Sequence, residues 1–149
     1  MSNQFQLTRG MLLNFVNGLS EEVTEVQPAG FNNNIHWHIG HLLVTAESFM
    51  FAYPKKSAHI PAEYAALFGM GSKPADWQGE VPSIQELAGL LKEQAGRIAE
   101  IPGEFFEQTL PFKFPVPGID TFGDLYKLML HHEAEHLGQM KAMKRMIQV

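Results

Sequence analysis

Apolar residues recur at helical rather than strand spacing along most of the chain. Phe5, Leu12, Phe15, Val16 and Leu19 share one face of a helix over about residues 3–19, in which Gly10 and Gly18 are the weak points. Ser20 to Gly30 reads as a short turn and connector, punctuated by Pro28 and Gly30. Asn32, Asn33 or Asn34 can cap a second helix, which Ile39, Leu42, Leu43, Ala46 and Met50 carry to about Ala52, ahead of Pro54. Pro61 suits the first turn of a short helix through Phe68, and the Gly- and Pro-rich stretch 69–82 predicts a loop.

Ser83-Ile84-Gln85-Glu86 has the capping-box form. Ile84, Leu87, Leu91 and Ile98 then supply the buried stripe of a third main helix, closed by Pro102 and Gly103. Between 104 and 119, Phe105, Phe106, Phe112 and Phe114 alternate with Pro111, Pro115 and Pro117. That pattern excludes a regular helix and predicts an extended, aromatic-rich connection over one end of the molecule. Thr121-Phe122-Gly123-Asp124 begins the last helix, with Asp124 in place of the usual Glu or Gln. Phe122, Leu125, Met129, His132, His136, Met140 and Met143 line its core face. The pattern predicts an all-α fold: a single domain over 1–149, built as a four-helix bundle with long excursions between helices two and three and helices three and four.

Composition narrows the function classes. With 149 residues, 45% apolar and 18% charged, the chain is globular rather than disordered. A formal charge of −5 and no Lys/Arg-rich face argue against a nucleic-acid partner, which would demand neutralised phosphates. There is no cysteine, so disulfides, thiolate ligands and a cysteine nucleophile are excluded. The first residues lack a signal-peptide pattern, and no apolar run approaches the roughly 18 residues that would cross a bilayer. The expectation is a cytoplasmic protein with no membrane association.

The chemistry lies in the histidines. His131-His132-Glu133-Ala134-Glu135-His136 contains an H-E-x-x-H, and residues four apart on a helix stand about 40° apart around its axis. His132 and His136 can therefore share one metal ion. In metalloproteases of this motif a further ligand follows the second histidine, but the residues after His136 include no His, Asp or Glu. Gly138 stands two residues after His136 rather than three, and no strand pattern provides a substrate edge. The protease reading fails, and with it the role of Glu133 as general base, since Glu133 is also offset from the ligand face.

A third ligand is available upstream, where His36, His38 and His41 cluster. His41 or His38 could reach a metal held by His132 and His136. The small Gly40 and the polar Thr45 leave room around His41 and favour it, while His36 points elsewhere as a surface or capping residue. His131 falls outside the ligand set, and His59 has no role. Trp37, His38, Thr45 and Glu135 are candidates for the pocket or for groups that orient the ligands, and Trp37, Trp77 and the phenylalanines of 105–114 either roof a pocket or belong to plain core. Three histidines with an open position is the pattern of a catalytic metal site, and imidazole ligation suits zinc, nickel, iron, cobalt or copper. The bland alternative is a set of core histidines satisfied by hydrogen bonds without metal.

Asn33-Asn34-Ile35-His36-Trp37-His38-Ile39-Gly40-His41-Leu42, followed by His132-Glu133-Ala134-Glu135-His136-Leu137-Gly138-Gln139-Met140, resembles the DinB-like superfamily of bacterial four-helix proteins. The resemblance spans nearly the whole chain, including helix order and excursions. It implies one divalent metal, often nickel or zinc, held by His41, His132 and His136, and a homodimer. Some relatives are transferases or isomerases that use low-molecular-weight bacterial thiols. The leading expectation is a metal-dependent enzyme of hydrolase or thiol S-transferase type. Its open coordination position would activate water or a thiol, and its small-molecule substrate would enter from the end covered by the 53–82 and 103–120 excursions. The alternative is a non-catalytic, stress-associated protein whose metal braces two helices.

Overall fold

Capping side chains set where the long helices begin. Asn34 Oδ1 accepts from the Trp37 amide at 2.8 Å, and Ser83 Oγ accepts from the Glu86 amide at 3.1 Å. At the last helix the capping box is closed in both directions: Thr121 Oγ1 accepts from the Asp124 amide at 3.1 Å, and Asp124 Oδ2 accepts from the Thr121 amide at 3.0 Å. The computed structural model describes residues 3–148. Its helices are α1 (Gln4–Asn17), α2 (Glu21–Glu25), α3 (Ile35–Phe51), α4 (Tyr64–Phe68), α5 (Ile84–Ala99), α6 (Gly103–Phe106) and α7 (Phe122–Ile147). Among the described residues there is no strand, only an isolated bridge between Thr109 and Thr121. The fold is all-α, as the periodicity predicts.

Two segments read as irregular contain short helices. The connector after α1 holds α2, whose first turn carries Glu21 and Glu22 where the helix dipole favours carboxylates, and which buries Val23 and Thr24. The aromatic connection holds the single turn α6, which Pro102 precedes and Pro111 lies too far downstream to prevent. Phe105 packs on Phe122 at 4.4 Å between ring centroids, and Phe106 on Tyr126 at 5.0 Å. Tertiary packing of these partly buried rings, rather than local propensity, holds the turn.

α3 packs against α7 and α5, and α1 packs against the same two, so the four long helices close a ring of contacts. One core cluster includes Leu12, Ile35, Leu43, Phe68, Leu91 and Met140; another, towards the start of α7, includes Phe5, Met50, Ile98, Phe122 and Met129. Among the described residues, no helix is long and apolar enough to cross a membrane.

A chain of buried polar groups threads this ring. Arg9 on α1 makes a bidentate pair with Glu133 on α7, at 2.9 and 2.6 Å, and both side chains are 1% exposed. Arg9 also donates to the Leu91 carbonyl and to Gln94 Oε1 on α5. Gln94 in turn donates to the Leu43 carbonyl and to Glu47 on α3, and Glu47 accepts two bonds from Arg97. All four long helices are thus tied by one network, with each charge matched.

Candidate metal centre

α3 and α7 bring the histidines together. One ring nitrogen each from His41, His132 and His136 lie within 4.8 Å of one another, and Nε2 of His41 is 3.1 Å from Nε2 of His132. Nitrogens bound at about 2.0–2.1 Å to a shared ion, at angles from square to tetrahedral, stand about 2.9–3.4 Å apart. The His41–His132 pair already has that spacing. The donor set, three imidazoles without thiolate or carboxylate, fits a borderline divalent ion such as zinc or nickel.

Hydrogen bonds on the far side of two rings select the tautomer that metal binding needs. His41 Nδ1 faces the Phe68 carbonyl at 2.8 Å; it donates there and leaves Nε2 unprotonated. His136 Nδ1 is 2.7 Å from His38 Nδ1, while His38 Nε2 is 3.0 Å from Asn33 Oδ1. The amide oxygen accepts, so His38 carries its proton on Nε2 and accepts at Nδ1 from His136. His136 Nε2 is thereby free. Of the two upstream candidates, His41 joins the cluster and His38 backs His136 from behind.

Local sequence explains both supports. A Cβ on Gly40 would lie 2.2 Å from the Phe68 ring, so only glycine lets α4 settle on α3 and present the Phe68 carbonyl to His41. What Gly40 admits is this ring rather than a ligand. Trp37 stacks on His41 at 4.5 Å with 11° between planes, and its indole N–H donates to Ser72 Oγ. Trp77 sits elsewhere, edge-on to His36 and Phe68.

Burial keeps the cluster neutral. Desolvation, followed by the nearby imidazoles, lowers His38 and His132 from 6.5 to about 4 and His136 to about 3. His41 is lowered too, by desolvation, against the opposing Phe68 hydrogen bond. Neutral imidazoles are the form that ligates a metal.

Several residues lie where the spacing did not put them. His132 and His136 are half-buried at the margin of the α7 core stripe, whose central position between Met129 and Leu137 is taken by Glu133. Glu133 is locked to Arg9 and turned away from the histidines, which agrees with its exclusion as a base. His36, expected at the surface, is buried, with Nδ1 on Glu25 and Nε2 on the Pro82 carbonyl at 2.8 Å. Helical spacing alone does not foresee the Arg9–Glu133 pair, although a charge at the centre of an apolar stripe on both α1 and α7 is its signal. Thr45 and Glu135 line a cavity beside His41 and His132; Glu135 is exposed and lies 3.5 Å from His131. Both excursions contribute to that cavity, through Ala65, Gly69 and Met70 and through Phe114, Pro115 and Val116.

The DinB superfamily model matches residues 4–140, and the chain belongs to that superfamily. No curated protein gives a significant match to it.

Proposed function

We propose that this DinB-superfamily chain is a metal-dependent enzyme that holds one nickel or zinc ion on His41, His132 and His136. The observation that carries the reading is the convergence of three neutral imidazoles, two with Nδ1 already committed to acceptors, beside an open cavity. A divalent ion held there with a vacant position would lower the pKa of bound water or a bound thiol towards neutrality, the chemistry of a hydrolase or a thiol S-transferase.

The protein's own contribution is orientation. Phe68 and the Asn33–His38 relay hold two ligand rings in one tautomer, and Trp37 fixes the plane of His41 by stacking. Besides the ligands, His131 and Glu135 are the titratable groups that line the cavity, and they are the groups placed to take a proton from a substrate. Family membership further supports a homodimer and a small-molecule partner.

A non-catalytic brace between α3 and α7 is the rival reading, favoured by the extensive contact of those two helices. Cobalt substitution separates the two. The enzyme reading expects the visible spectrum to change when azide or a small thiol is added, because an exchangeable position accepts it. An unchanged spectrum at saturating azide and thiol would favour the brace.

A further inference from the structure

The cavity beside His41 and His132 measures about 520 Å³, within the range of about 300–1,000 Å³ that small-molecule sites occupy. Its walls are mostly hydrocarbon: Val44 and Phe49 from α3, Phe114 and Val116 from the connection before α7, and Leu128 from α7. Among the described residues, no lysine or arginine lines it. Its charged group is Glu135, beside His131. A carboxylate or phosphate on the part of a ligand that lies along these walls would give up water and meet a like charge, with no cationic side chain to compensate.

We propose that the substrate is a molecule with an uncharged apolar body and a single polar group, a carbonyl or a thiol, directed at the histidines. The proposal rests on the metal reading for the fate of that polar group and on the cavity alone for the body. Val44, Leu128 and Val116 hold the body by excluding water from it. Thr45 and Ser48 are neutral polar side chains of the wall, and Thr45, one helical turn from His41, is suited to a hydrogen bond near the reacting end.

The test uses zinc-loaded protein and straight-chain alkyl hydroxamates from two to eight carbons, titrated calorimetrically. The metal-binding head is common to the series, so differences report the wall. Each buried methylene is expected to tighten binding about fourfold, and octanohydroxamate to bind at least about 100-fold tighter than acetohydroxamate. Val116→Glu and Leu128→Glu are expected to flatten the series. Val116 is 46% exposed in a connection, so its substitution leaves the helices intact.

A second arm uses metal-free protein and the neutral fluorophore N-phenyl-1-naphthylamine. It should saturate at one molecule per chain and lose affinity at least tenfold in both variants. This arm is blind to the metal: a failed metal site leaves it standing, whereas a failed apolar site abolishes it. A flat hydroxamate series on loaded protein, or naphthylamine binding that is absent or equal in wild type and variants, overturns the proposal.

Discussion

His38 and His136 face each other through their Nδ1 atoms at 2.7 Å, with Asn33 Oδ1 behind His38. The contact makes His38 a positioning residue: its Nδ1 accepts a hydrogen bond from His136 Nδ1–H and turns Nε2 of His136 towards His41 and His132. His38→Ala is expected to weaken zinc affinity about 10–100-fold without abolishing it, the usual effect of losing a group that orients a ligand. Asn33→Ala should move affinity in the same direction by less. Competition titration against a chelator checks both, and unchanged affinity in His38→Ala would remove the relay from the account.

The Arg9–Glu133 pair is structural. Glu133→Gln or Arg9→Met leaves an unmatched buried charge and is expected to cost about 3–5 kcal/mol in urea unfolding. The double replacement Arg9→Met/Glu133→Leu should recover much of that loss, because apolar groups of similar volume need no partner. A single variant of wild-type stability would contradict the pairing.

Gly40→Ala tests the seat of α4. A Cβ there meets the Phe68 ring at 2.2 Å, so α4 must shift and carry the Phe68 carbonyl away from His41. The expected cost is about 1–3 kcal/mol, with weaker metal binding as well. Phe68→Ala in the same chain should relieve the clash without restoring metal affinity fully, since the ring that located the carbonyl is gone.

Acid should destabilise the metal-free protein over a defined window. His38 and His132 are lowered to about 4 and His136 to about 3, from 6.5 in an unfolded chain. Between those values the unfolded chain binds more protons than the folded one. Their contribution is complete above pH 6.5 and is lost as pH falls through about 4 for His38 and His132 and about 3 for His136. Melting temperatures in a chelator between pH 8 and 4 would reveal this slope, which His136→Ala should reduce.

The sequence makes the helices and the histidine partnership legible for local reasons. Capping residues at Asn34, Ser83 and Thr121 act within one turn, and the His132–His136 spacing needs only helical geometry. What escapes is set by contacts distant in the chain. Arg9 and Glu133 look like two unrelated charges until α1 and α7 pack. His36 seems outward-facing until Glu25 and Pro82 close over it, and α2 and α6 exist because neighbours pack against their side chains. His38 and His41 share a helix face closely enough that only the position of α7 separates the roles of the two rings.

Metal content of protein prepared without an affinity tag, set beside His41→Ala, His132→Ala and His136→Ala, tests the centre most directly. About one nickel or zinc per chain is expected in the wild type. Each variant is expected to lose at least about tenfold in affinity, with far-ultraviolet dichroism still helical. Undiminished metal content in all three folded variants, or a wild type that takes up no divalent ion, would contradict the assignment of this centre.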